Sequence, residues 1–443
     1  MPAPGGDETR AAGPRLVGGS ALFFAGRLAG AGATFASHWV LARWLGTSKQ
    51  GQYADVFSWV ILLGNLVILG FPRAGLRFLP EALERGDAGQ IRGFVVCGQR
   101  LVIVLGLLLC LIGAPLLVAF APAGMNSATW TALVGLACVP VMGWIRQSTG
   151  IAHGLSWFRL TVLPSDVVRP VGFLVLLLLG WWLAPTLGAP QVMGMQLTVL
   201  FAVALWQHRT MTRHLRPIVQ GVEPQMRTGP WLRTAAPLLL VDLFTHFFPE
   251  LNVAVAGRLM GDDQVGVYFI GFRVAFLIAF GLIAVDQATL PGASRAFASG
   301  DLKGMQAQLQ RASRLKLAGA LLGLALLALA GRPLLASFDA QDGGISYVEA
   351  YVPMLLVALM LCVRAATGPV AELLGLTGFH NRTLRVSAVS MLATVALHMV
   401  LIPRYGLVGA AIAPLLVTVI SHLWMLRILV REVRIVPSVL GRA

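Results

Sequence analysis

Apolar residues run along this chain in long unbroken blocks, and polar residues collect in the short gaps between them. Neither the two-residue alternation of a half-buried strand nor the narrow stripe of a soluble amphipathic helix dominates. A helix rises about 1.5 Å per residue and a bilayer core is about 30 Å thick, so a spanning helix needs about 20 apolar residues. About twelve blocks meet that length, near 17–45, 53–79, 93–120, 128–149, 161–183, 192–206, 234–257, 266–290, 315–338, 349–374, 384–402 and 407–430. The pattern predicts an all-α polytopic membrane protein.

Composition agrees. Of 443 residues, 57% are hydrophobic and 12% charged, against about 25% charged in soluble domains. The net charge of +15 would suggest a nucleic-acid partner in a soluble protein. Here the basic residues cluster at the ends of apolar blocks, which is a topology signal rather than a nucleic-acid footprint. Lys and Arg number 23 on one set of connections and 5 on the other, with 6 inside the spans. That asymmetry predicts cytoplasmic termini. Residues 1–16 read as a disordered cytoplasmic tail and 431–443 as a second tail. Cys97, Cys110, Cys138 and Cys362 lie inside apolar blocks, which predicts buried thiols and neither disulfides nor a metal site.

The longest connection is the basic stretch 208–233, too short to fold as a domain. No DDxxD pair, GxSxG, HExxH or phosphate loop occurs. Function therefore falls to the helices, and a transporter is expected rather than an enzyme.

The chain repeats itself. Arg43, Gly46, Gly51, Tyr53 and Phe57 recur as Arg258, Gly261, Gly266, Tyr268 and Phe272, and Gly86-Asp87 recurs as Gly300-Asp301. The offset of about half the chain predicts two parallel six-helix lobes, 17–207 and 234–430, joined by a linker at 208–233, with the substrate site between them.

Ionisable groups inside a span ask for a partner, water or a purpose, because each costs about 2.5–3.5 kcal/mol at the bilayer centre even on insertion scales. Arg27, between Gly26 and Gly30, is either a cavity-lining cation or half of a buried ion pair. Asp242, His246 and Glu250 are spaced i, i+4, i+8, so all three line one face of the seventh span, either as a column able to pass protons or as an ion-pair seam between helices. Glu250 lies at the depth of Arg273 on the next span and is a candidate for pairing with it, leaving Asp242 and His246 as the better relay. Asp55 and Asp286 read as solvated near span ends, Asp166 and Arg169 as an i, i+3 pair, and Arg364 as neutralised by Glu372.

Four stretches carry a family resemblance: Leu45-Gly46 to Gly51-Gln-Tyr53 leading to Arg77-Phe-Leu-Pro-Glu81 and Gly86-Asp87; Gly150 to Gly154-Leu155 with Leu163-Pro164 and Arg169-Pro170; Gly266-Val-Tyr268 to Gly300-Asp301; and Ile402-Pro-Arg-Tyr-Gly406 with Gly409-Ala-Ala411. Together the chain resembles the Wzx-type polysaccharide or oligosaccharide flippases of the MOP superfamily, relatives of the MATE exporters. The resemblance implies a two-lobed carrier in a bacterial inner membrane. It would move an undecaprenyl-diphosphate-linked oligosaccharide to the periplasmic leaflet by alternating access, alongside polysaccharide assembly proteins. It implies no cofactor beyond a coupling ion, H+ or Na+. On burial and charge, Arg27, Arg273 and Arg364 are assigned to the diphosphate and Asp242, His246 and Glu250 to ion coupling. A MATE-like drug or cation antiporter and a membrane-embedded sugar polymerase are the competing readings.

Overall fold

The computed structural model describes residues 13–121, 124–184, 186–245, 247–339, 344–439 and 441. The described chain is helical from end to end: α1 Gly13–Leu66, α2 Phe71–Glu84, α3 Ala88–Ala119, α4 Ser127–Gly154, α5 Phe158–Val162, a π-helical turn Leu163–Val168, α6 Arg169–Leu183, α7 Ala189–Val219 and α8 Thr228–Thr245. Then come α9 Phe248–Ala256, α10 Asp262–Ala275, α11 Leu277–Ala298, α12 Leu302–Ala336, a 3-10 turn Tyr347–Ala350, α13 Tyr351–Thr367, α14 Val370–Leu376 and α15 His380–Glu432. Among the described residues nine helical stretches are long and apolar enough to cross a membrane. Two of them are double crossings, because α1 reverses at Gly46 (φ 71°) and α15 at Gly406 (φ 53°). With the interrupted α8–α9 pair this accounts for twelve passages.

Two boundaries differ from the sequence reading. The first helix already runs at Gly13, inside the expected tail, and residues 1–12 of that tail lie outside the described residues. The expected tail after residue 430 folds back instead. Gln310 donates to the carbonyl of Val436 (3.0 Å), Ser313 to that of Pro437 (2.9 Å), and Val439 N–H to Ala366 (3.0 Å). Ile435 and Ser438 are buried. The loop after α7 does the same beneath α3, where Gln225 N–H donates to Gly89 (3.0 Å) and Arg92 to Val222. Each lobe is thus strapped across its third passage by the segment that follows its sixth.

Each lobe has an apolar core, and that of the second lobe also takes in Phe35, Trp39, Ala42 and Ala54 of α1. One centres on Leu41, Tyr53, Met142, Leu177 and Leu200, the other on Tyr268, Phe272, Met354, Leu361 and Ala411. They meet at the end opposite the basic connections. There Arg258 pairs with Asp55 (2.9 Å), Gln52 donates to Asp262 (2.8 Å), Thr47 to Asp263, Tyr347 to Gln50, and Arg43 to the Ser337 carbonyl (3.3 Å). Gly51 and Gly266 make this contact possible. A Cβ on Gly51 would stand 1.8 Å from the Asp262 carbonyl oxygen, and one on Gly266 would stand 2.3 Å from that of Thr47. These lie at equivalent positions of the 215-residue repeat, so the turn motif packs against its own copy.

Candidate functional site

Below this closed end the lobes part. A cavity of about 460 Å³ is lined by Arg27 of α1, Asn65 and Arg73 of the second passage, Arg146 and His153 of α4, Asp166 and Arg169, and Asp242 of α8. It reaches from mid-depth, at Met142, toward the basic end, at Leu76 and Gly150. A second cavity of about 430 Å³ shares Arg27, Asp166 and Arg169, but its far wall is Phe280, Ile283 and Ala284 of α11. A charged chamber therefore adjoins an apolar trough between α1 and α11.

Local backbone sets the chamber up. Pro164 lies within the π-helical turn and Pro170 just after it, where missing N–H donors loosen the ladder. Gly30 lets α1 approach it: a Cβ there would lie 1.5 Å from the Asp166 carbonyl oxygen. This contact brings Arg27 Nε to 2.8 Å from Asp166 Oδ2. Arg27 is thus both of the things expected as alternatives, a cavity-lining cation and an ion-pair partner. Asp166 and Arg169 do not pair as their spacing suggested. The carboxylate turns to Arg27, and Arg169 Nε donates to the Ser165 carbonyl (3.4 Å).

The acidic column is also corrected. The chain bends at Phe247 (φ −112°) and a helix starts at Phe248 with Pro249 in its first turn, so Asp242 and Glu250 do not share one helical face. Asp242 faces the chamber and accepts from Arg73 (2.6 Å), while Glu250, buried, accepts from Arg273 (3.1 Å) as anticipated. His246 lies outside the described residues. The three arginines assigned to the diphosphate separate as well. Arg27 lines both large cavities; Arg273 lines smaller ones beside His38. Arg364, in the last turn of α13, acts electrostatically on Asp286 and His422 within the second lobe. Neither Asp55 nor Asp286 is simply solvated. Asp55 takes Arg258 across the lobes, and Asp286 takes Lys316 (2.6 Å).

Sequence reasoning missed Arg146. Its guanidinium sits 4.5 Å from the ring centroid of Phe247, its Nε has no hydrogen-bond partner, and it makes no ion pair among the described residues. Its position at the inner end of the fourth passage made it look like a topology charge. The available signal was its place in α4 one turn beyond Met142, on the same face as Thr149 and His153. Four arginines against Asp166 and Asp242 leave the chamber cationic. Such a chamber accepts a divalent or polyvalent anion, because guanidinium forks stay charged and bind phosphate oxygens in pairs.

A family model described as polysaccharide biosynthesis protein matches residues 16–297, well over half the chain, and one described as MatE matches 237–401. A probable flippase AglR from Haloferax volcanii is 27% identical over 192 residues, 43% of this chain and 39% of that protein. The chain thus matches about two fifths of that relative's length. Among solved structures, a multidrug resistance MATE family transporter of the MOP superfamily in an inward-facing conformation superposes with a TM-score of 0.74 (14% identity; 91% of this chain, 94% of that one). Lipid II flippase MurJ in an inward closed conformation gives 0.73 (12% identity; 92% and 87%). A MOP superfamily transporter from Pyrococcus furiosus gives 0.62 (15% identity; 92% and 96%). The chain belongs to the polysaccharide biosynthesis protein family of multi-pass membrane proteins and has the MATE-like all-α fold.

Proposed function

We propose that this member of the family flips a lipid-linked oligosaccharide, joined to its polyprenyl tail through a diphosphate, across a bacterial inner membrane. Termini and straps face the cytoplasm, where positive-inside topology puts the 23 basic residues. The observation that carries the reading is the excess of arginine in the chamber between the lobes, with Arg146 free of any acidic partner among the described residues. Arg146 and Arg169, joined by Arg27, hold the diphosphate. Its polyprenyl tail leaves along Phe280, Ile283 and Ala284, and the glycan occupies the wider space toward the cytoplasm. The latched far end marks the state that loads from that side. Breaking the latch while the basic end closes delivers the head group to the periplasmic leaflet.

The test is translocation of an undecaprenyl-diphosphate oligosaccharide in sealed proteoliposomes, scored by its exposure to an impermeant glycosidase, beside uptake of a lipophilic cation. Glycolipid movement without cation uptake is expected. Cation uptake alone would transfer the protein to the drug-exporter reading.

A further inference from the structure

The chain contains 31 Arg and only 3 Lys, and one of those lysines, Lys316, is buried in α12 near the basic end of its apolar block. Its side chain is 2% exposed and its Nζ lies 2.6 Å from Asp286 Oδ1 on α11. The carboxylates Asp166, Asp242, Glu250 and Asp55 are instead paired with arginine. Arginine does not give up its proton in proteins, whereas lysine does when its surroundings change. The Asp286–Lys316 pair differs from the rest in that its basic partner, as well as its carboxylate, can exchange a proton.

The pair does not stand alone. Arg364 of α13 and Glu372 of α14 act electrostatically on Asp286, and His422 of α15 is acted on by both Arg364 and Lys316. Thr367 Oγ1 lies 2.8 Å from His422 Nδ1. One turn from Lys316, Ser313 holds the C-terminal strap through Pro437, so the strap covers the inner approach to this cluster. Asp286 remains 27% open, and its neighbour Gln287 lines the trough between the lobes.

We propose that Asp286 and Lys316 form the proton-exchange site that couples this carrier to the proton gradient, in place of the Asp242 column. A proton leaves Lys316 Nζ, passes over the Asp286 carboxylate to water, and leaves a neutral amine beside a carboxylate; reprotonation reverses the step. While charged, the pair pins α11 to α12. Once the amine is neutral that attraction is lost, and α11, a wall of the trough, is released to move. The pair thereby links proton occupancy to the helix that contacts substrate. The inference draws its meaning from the carrier reading above, but its measurement needs no glycolipid.

Full-length protein in proteoliposomes on a solid-supported membrane is given a pH jump, and the transient charge is recorded. Lys316→Arg, which keeps the ion pair but cannot shed its proton, and Asp286→Asn are each expected to reduce the charge roughly threefold or more. Lys303→Arg, at an exposed site outside the spans, should match the wild type. Should Lys316→Arg fail to fold, Asp286→Asn/Lys316→Gln removes both charges and serves in its place. A smaller reduction in the pair variants overturns the proposal. So does a wild-type protein that gives charge on a sodium jump and none on a pH jump. Proton charge without diphosphate-lipid movement would leave this site standing and remove the assigned cargo.

Discussion

Arg146 is the side chain on which the chamber's chemistry turns. Arg27 and Arg73 spend part of their charge on Asp166 and Asp242; Arg146 lies over the face of Phe247 and feels Glu250, Asp242 and Asp166 without an ion pair to any of them. A cation over a ring in a desolvated site keeps roughly 2 kcal/mol of attraction, which holds the guanidinium in place without cancelling its charge. An incoming phosphate therefore meets a positioned donor that has no acidic partner to be displaced. Arg146→Gln is expected to lower glycolipid translocation by roughly tenfold or more, the worth of a charge-assisted hydrogen bond of about 1.5–3 kcal/mol. The protein's melting temperature should change little, and Arg146→Lys should recover part of the rate. Equal translocation by Arg146→Gln would remove this residue from the anion site. From sequence, Arg27 and the Glu250–Arg273 pair were legible because each lies deep in an apolar block. Arg146 and Lys316 were not, since a basic residue near the cytoplasmic end of a block looks the same whether it faces lipid headgroups or a protein interior.

At the scale of elements, apolar length was enough to find the passages, but length says nothing about interruptions. The bend at Phe247 and the π turn at Leu163–Val168 both lie within continuous apolar sequence. Their only outward sign is proline, at 249, 164 and 170, and prolines at 115, 140 and 333 sit inside unbroken helices. The π turn matters because it is what Gly30 touches. Gly30→Val would drive a side chain into the Asp166 carbonyl, and overpacking of this kind costs about 1–3 kcal/mol. The variant should melt at a lower temperature in detergent and lose translocation. Gly32→Val, with open space around its Cβ, should keep both. Similar losses in the two variants would mean that helix propensity, not the Arg27–Asp166 approach, explains the effect.

For the molecule as a whole, the 215-residue repeat was visible in sequence as recurring turn residues, and it foretold two like lobes. What it could not convey is that the two copies touch. Gly51 against Asp262 and Gly266 against Thr47 are one contact made twice, which puts the local symmetry axis through the latch. Polar bonds surround that axis, beside the apolar packing of Phe35, Ala42 and Ala54 against the second lobe: Asp55 with Arg258, Gln52 with Asp262, Thr47 with Asp263 and Tyr347 with Gln50. Once exposed to water, these groups exchange protein partners for solvent at a net cost of about 0.5–1.5 kcal/mol each, so the latch can open and close without trapping the protein in either state. If the latched and open states alternate during transport, fixing the latch must stop turnover. Gln52→Cys with Asp262→Cys, in a chain freed of its four native cysteines, places two thiols where the native side chains meet at 2.8 Å. Bridging them with a short bifunctional thiol reagent should abolish translocation, and cleavage of the bridge should restore it, while pH-jump charge at Asp286–Lys316 survives the bridge because that site lies within one lobe. Translocation that continues with the bridge in place would mean the cargo crosses without the far end opening along this axis, and the chamber would then have to be an entrance to some other path.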